Sequence, residues 1–164
     1  MTNSEFENLI IQHKDKMYRF AVSILKNSDD AQDAVQEVVL RLWKNRRSLD
    51  NQKNLESYCL NAVKNNCFDV LRKQKHRQEF QKTMDYPYTE ESNIEYTDFV
   101  EKLKLEINNL PQQQRIAIEL KDFQGLDYKE ISEILEQSIN TIRVSVSRGR
   151  KKLYNIFKTE LADV

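Results

Sequence analysis

Glycine and proline are almost missing from these 164 residues: the chain has Gly125 and Gly149, Pro87 and Pro111, and no others. A sheet protein needs a turn every ten residues or so, and turns draw on those two residue types. Their scarcity excludes an all-β fold and points to an all-α one. Cysteine is equally sparse. Cys59 and Cys67 form no CxxC pair, and His13 and His76 lie far from them and from each other. Metal-ligand spacing and a disulfide framework are therefore both absent, and the two are read as reduced thiols on a helix. No long apolar run opens the chain or crosses it, so neither a signal peptide nor membrane insertion is expected, and the location is read as cytoplasmic. A phosphate-cradling glycine loop and a nucleophile–base set are also lacking. The reading is therefore no enzyme, no cofactor, no metal and no small-molecule substrate.

What the sequence does have is charge, 26 basic and 26 acidic residues that cancel overall. The cancellation hides a segregated pattern. Residues 83–101 hold six acids (Asp85, Glu90, Glu91, Glu95, Asp98, Glu101) and no base. Residues 141–158 hold six bases (Arg143, Arg148, Arg150, Lys151, Lys152, Lys158) and no acid. A second basic block runs from Lys64 to Lys82, diluted only by Asp69 and Glu79. Phosphate contact depends on local patches, so the two stripes matter more than the sum.

Apolar periodicity divides the chain. Phe6, Leu9, Ile10, Met17, Phe20, Ala21 and Ile24 make one helical face, with His13 as a packed edge residue. Asn27-Ser28-Asp29-Asp30 supplies a turn, caps and first-turn acids. A second helix runs to about Lys44, burying Ala31, Ala34 or Val35, Val38 and Leu42. Arg46–Glu56 lacks periodicity and is read as a loop. A third helix from Ser57 to about Lys75 is expected to bury Tyr58, Ala62, Cys67, Phe68 and Leu71. These make an N-terminal bundle over residues 1–77. Pro87 and the acids mark a flexible linker over 78–95, and a second small helical domain follows over 96–164.

In that second domain Phe99, Val100, Leu103, Ile107 and Leu110 form one stripe, and Ile116, Leu120 and Phe123 the next. Pro111 starts the second of these helices and Gly125 caps its end. Asp127 with Glu130 has the form of a capping box. It opens a short helix with Tyr128, Ile131, Ile134 and Leu135 inside. Ser138 then caps a last, basic helix that buries Ile142, Val146 and Leu153. Two short helices with a tight turn, the second basic, describe a DNA-reading helix-turn-helix between Asp127 and Leu153. Thr141, Arg143, Val144, Ser147, Arg148 and Lys151 fall on its outer faces. Arginine can bond a guanine edge, serine a base or phosphate, and valine can meet a thymine methyl. Arg150, Lys151 and Lys152 suit backbone phosphates, which position without reading.

The runs Tyr128-Lys129-Glu130-Ile131-Ser132-Glu133-Ile134-Leu135, Asn140-Thr141-Ile142-Arg143 and Ser147-Arg148-Gly149-Arg150-Lys151-Lys152-Leu153, preceded by Leu110-Pro111 and Arg115, resemble region four of bacterial sigma factors. Taken alone, this half does not decide between a sigma factor and a conventional regulator, because other bacterial regulators have similar helix-turn-helix modules. Asp30-Ala31-Gln32-Asp33-Ala34-Val35-Gln36-Glu37-Val38-Val39-Leu40-Arg41-Leu42-Trp43 resembles the region-two helix that docks on the clamp helices of core RNA polymerase. With only these two regions, the chain resembles the compact extracytoplasmic-function class. The resemblance implies several partners: core polymerase, docked through Asp30, Asp33, Gln36, Glu37, Leu40 and Arg41; promoter DNA; and an anti-sigma factor. Tyr58, Asn65, Asp69 and Arg72 match the helix facing the minus-ten element. The Arg46–Glu56 loop corresponds to the one that captures a flipped base. For that element Asn51, Lys53, Asn54, Lys64, Asn65, Arg72, Lys73 and Arg77 are the expected contacts, with Asp69 a structural partner of a nearby base. Two departures stand out: Glu136, in the turn, and Asn140 occupy positions where the family usually has glycine. Glutamate tolerates left-handed backbone poorly.

Overall fold

A computed structural model describes residues 1–80 and 98–162; most of the expected acidic linker lies outside the described residues. Seven α-helices and no strand occur among them. Helix α1 spans Asn3–Leu25. Thr2 and Glu5 close a capping box at its start, and Lys26 ends it in left-handed backbone at φ 55°. Asn27 then caps α2, Ser28–Lys44, by accepting from the Asp30 amide. Asp29 and Asp30 in the first turn complement the helix dipole. Together with α3, Leu55–Phe80, these helices enclose an apolar core of Met17, Phe20, Ile24, Val38, Leu42, Leu60 and Val63. Fully burying one such side chain is worth about 1.5–3 kcal/mol.

Residues 46–56 are more ordered than the sequence suggests. Arg46–Asn51 forms a 3-10 turn, and α3 begins at Leu55 rather than Ser57. A single buried leucine, Leu49, pins the turn to the core. Arg46 lies 4.0 Å over the Trp43 ring, which meets Phe6 edge-on at 5.2 Å. Asn54 caps α3 by accepting from the Ser57 amide at 3.0 Å.

The expected stripe on α3 needs correction. Tyr58 is exposed, while Cys59, Leu60, Val63, Lys64, Asn66 and Cys67 are buried. The single-face period fails because α3 is covered twice, by α1 and α2 on one side and by the C-terminal module on another.

In that module α4, Asp98–Asn109, leans on α7, Ile139–Ala162, through an edge-on Phe99–Phe157 contact at 5.2 Å. Helix α5, Gln112–Ile118, runs into a π-helical turn at Glu119–Phe123. The wider turn shifts the residues after it around the axis. Leu120 is buried as expected, but Phe123 is turned out to solvent. Gly125 follows at φ 71°, a conformation glycine adopts without strain. Helix α6, Tyr128–Leu135, opens on the Asp127–Glu130 capping box and ends at Glu136 in left-handed backbone, φ 54°.

The two modules pack directly on each other, which no pattern in the sequence announces. Arg115, buried on α5, donates through Nε to the Ser23 carbonyl at 2.5 Å and through a terminal nitrogen to Leu110 at 2.9 Å. Asn61 on α3 donates to the Ile134 carbonyl at 3.2 Å, and Gln124 to the Lys16 carbonyl at 3.1 Å. Ser23 and Ile134 lie in the last turns of α1 and α6, where carbonyls lack intrahelical partners. Neither helix carries a basic residue in that turn. Each module thus supplies a donor to a helix end of the other.

Candidate nucleic-acid interface

On α7 the apolar residues Ile142 and Val146, together with Ser145 and Gly149, face inward. A Cβ built on Gly149 would come within 2.4 Å of Ile118 Cδ1, so glycine lets α7 lie close on α5. Ser138 accepts from the Thr141 amide at 3.1 Å and fixes the start of the helix. The register then puts Thr141, Arg143, Val144, Ser147, Arg148 and Lys151 all on the exposed face. The Arg143 guanidinium stands 5.1 Å over the Tyr128 ring, so α6 steadies it at the mouth of the turn. Arg150, expected from the sequence to hold phosphates beside Lys151 and Lys152, is instead gripped by both carboxylate oxygens of Asp122 on the π-helical turn. Those bonds hold its guanidinium above its ordinary pKa.

The outer face of α2 is a second open surface. Asp33, Gln36, Glu37, Leu40 and Arg41 are exposed there, and Leu40 keeps 60% of its surface in water. Glu37 and Arg41 pair at 2.9 Å. Asp30 is half-buried and accepts from Gln74 on α3 at 2.9 Å, which ties this face to the basic helix beside it.

Around α3, Asn51, Lys53, Asn54, Asn65, Arg72, Lys73 and Arg77 lie exposed, from the 3-10 turn to the last turns of the helix. Asn54 also serves as the α3 cap, Asn65 donates to Asn61 at 3.0 Å, and Arg72 pairs with Asp69. Lys64 is the exception. Its side chain is 6% exposed and its ammonium meets the Glu136 carboxylate at 3.4 Å, inside the contact between modules. Asn61 and Asp122 are further residues of these contacts that the sequence did not single out, and Arg115, part of the region-four motif, had no role assigned to it. Glu136 also carried a signal in the sequence, as an unsuitable residue in a turn.

The two cysteines lie inside the N-terminal bundle. Burial pushes the Cys59 thiol up to about 11 and Cys67 to about 12, so both stay as thiols, not reactive thiolates.

An all-α chain of two packed modules, one a helix-turn-helix with an open basic face and the other a bundle with an open acidic one, defines a DNA-binding protein equipped for a second macromolecular partner. Comparison with known proteins gives the family. Sigma-70 region 2 matches residues 9–77, and Sigma-70, region 4 matches residues 101–153. The chain is similar to the RNA polymerase sigma factor SigV of Bacillus subtilis (strain 168), 31% identical over 144 residues, covering 87% of this chain and 84% of that one. It is also similar to the ECF RNA polymerase sigma factor EcfG of Rhodopseudomonas palustris (strain TIE-1), 30% identical over 139 residues, covering 82% and 75%. In fold it resembles the sigma factor RpoE in a complex with the anti-sigma factor NepR from Bartonella quintana. The TM-score is 0.81 at 24% identity, covering 94% of this chain and 97% of that one. The chain belongs to the RNA polymerase sigma factors, in their extracytoplasmic-function class. Its function is promoter-directed transcription initiation with core RNA polymerase. A conventional regulator with the same helix-turn-helix would have no region-two module. Among the described residues no helix is long and apolar enough to cross a membrane.

Proposed function

We propose that the three surfaces divide the work of a sigma factor, with residues 1–77 as the polymerase-docking and minus-ten domain and residues 96–164 as the minus-thirty-five domain. The α2 face of Asp30, Asp33, Gln36, Glu37, Leu40 and Arg41 docks on the polymerase clamp helices. Asn51, Lys53, Asn54, Lys64, Asn65, Arg72, Lys73 and Arg77 hold the opened minus-ten strand. Thr141, Arg143, Val144, Ser147, Arg148 and Lys151 meet the minus-thirty-five duplex, with the two arginines reading base edges and Lys151 holding phosphate. The chain itself catalyses no chemistry and acts in the cytoplasm, where the polymerase supplies the reaction. An anti-sigma factor holds it inactive, a reading supported by a solved neighbour, the sigma factor RpoE in complex with the anti-sigma factor NepR.

The observation that carries the docking assignment is Leu40, a large apolar side chain left in water and ringed by Asp33, Gln36, Glu37 and Arg41. Ile11 and Tyr154 are as open, so exposure by itself is ordinary; Leu40 differs in standing among the exposed residues of the region-two docking motif, where a helical partner would cover it. The test is a pull-down of core RNA polymerase by the intact chain and by the Asp33→Lys, Glu37→Lys double variant. Retention by the first and loss by the second is expected. Equal retention by both would sink the assignment of this face.

A further inference from the structure

Beside the apolar core that runs through both modules, the contact between them includes one residue that local backbone chemistry disfavours. Glu136 sits at φ 54° and ψ 41°, left-handed backbone in which a Cβ is crowded and glycine is at ease. Its side chain is 75% exposed, so burial of apolar surface does not hold it there. What it does is reach across to Lys64, whose ammonium is taken out of water by the module boundary and pairs with Glu136 at 3.4 Å. A buried cation needs such a partner. Beside it Asn61, one turn earlier on α3, closes on the last turn of α6. Arg115 makes the reciprocal bond to the last turn of α1.

We infer that Glu136 and Lys64 form a latch that holds the free chain closed and keeps Lys64 from single-stranded DNA, the Glu136 carboxylate standing where a phosphate would otherwise sit. The inference rests on the assignment of Lys64 to the minus-ten strand given above. The closed form leaves the other surfaces untouched, because all six α7 contacts and the α2 docking residues from Asp33 to Arg41 are exposed in it. Closure therefore withholds one contact, Lys64, from the opened strand, whose other expected contacts around α3 stay exposed, while a duplex can still meet α7. Opening exchanges one anionic partner of Lys64 for another, so its ammonium is not left buried and unpaired.

Two measurements on the full chain test this. Spin labels at Gln32 on α2 and Lys129 on α6, both exposed, report the separation of the modules with neither polymerase nor DNA present. The latch requires a single short distance in the parent chain and a longer population in Glu136→Lys. The charge-swapped pair Glu136→Lys, Lys64→Glu should restore the short distance. Identical distributions in all three overturn the latch. Glu136→Gly serves for the second measurement, because glycine suits the backbone at this position and cannot damage the turn. Binding is followed by fluorescence anisotropy with a short single-stranded oligonucleotide of mixed sequence and with the same sequence as duplex. An ion pair whose carboxylate is open to solvent and screened by it predicts about two- to fivefold tighter single-strand binding once it is removed. The duplex gain should be smaller. Equal gains on both would mean a bulk charge effect and overturn the proposal. Failure of the minus-ten assignment itself reads differently: the labels still separate in Glu136→Lys, yet Lys64→Ala does not weaken single-strand binding in the Glu136→Gly background.

Discussion

Arg115 Nε donates to the Ser23 carbonyl at 2.5 Å across 92 positions of sequence, joining α5, the second helix of the C-terminal module, to the last turn of α1. The guanidinium is buried, and desolvation lowers its pKa from the ordinary arginine value, yet it remains a cation serving two carbonyls. Lys26, just past the end of α1, is lowered by its own burial and then by the Arg115 charge. This one side chain links closure of the α1 helix end to the loop before α5.

Replacing Arg115 by alanine leaves the Ser23 and Leu110 carbonyls without that donor. Charge-assisted hydrogen bonds of this kind contribute about 1.5–3 kcal/mol each, and the loss is partly made up by water entering the gap. A net destabilisation of about 2–3 kcal/mol is expected in urea unfolding. Arg115→Lys should recover only part of it, because an ammonium lacks the fork that spans both carbonyls. Full recovery by lysine would show that charge alone matters here.

Gly149→Ala places a methyl 2.4 Å from Ile118 Cδ1. Overpacking of this kind costs about 1–3 kcal/mol, against a gain of roughly 0.5–1 kcal/mol from replacing a helical glycine. The expected result is a lowered thermal midpoint and weaker duplex binding, since α7 must shift on α5. Ile118→Val removes the clashing carbon, so the double variant should recover both readouts. A double variant no better than Gly149→Ala would place the cause elsewhere.

Arg143→Ala and Arg148→Ala are each expected to weaken binding at the upstream element by about 1–3 kcal/mol and to relax base preference there. Lys151→Ala should weaken all sequences alike and flatten the salt dependence. Holoenzyme binding to a panel of single-base promoter variants at two salt concentrations separates these effects. Uniform loss for all three residues would mean that the assignment of faces on α7 is wrong.

Glu119, at the start of the π-helical turn, has its carboxyl raised above the ordinary value of 4.5 by burial, although a hydrogen bond from Gln124 and the Arg19 charge act the other way. A folded pKa above the unfolded one means that the folded chain binds the extra proton. Stability from this site is present below 4.5 and is lost as pH rises through the raised value. Glu119→Gln should therefore stabilise the chain more at pH 7 than at pH 4.5 in paired urea titrations. A gain independent of pH would show that the carboxyl ionises as freely in the folded chain as in the unfolded one.

Much of this was legible in the sequence because it is local. Scarce glycine and proline left helices as the economical solution, and three- and four-residue apolar spacing located α1, α2, α6 and α7. Asp127 with Glu130, and Ser138 before Thr141, marked helix starts within reach of a single turn of backbone. Spacing on α7 likewise decided which side chains face outward, since Ile142 and Val146 fix the rotation of the helix.

Tertiary structure alone decided what depends on residues distant in sequence. Lys64 is buried because α3 is packed on a second side by the C-terminal module, and a single-face pattern has no way to encode that second cover. The π-helical turn moved Phe123 outward through one change in backbone spacing that side-chain identity does not reveal. Asp122 captured Arg150 from 28 positions away, and Arg115 and Asn61 found helix ends whose free carbonyls exist only once those helices have formed and met. Glu136 stands between the two cases. The sequence showed that it was out of place in a turn, and only the fold brought it to Lys64.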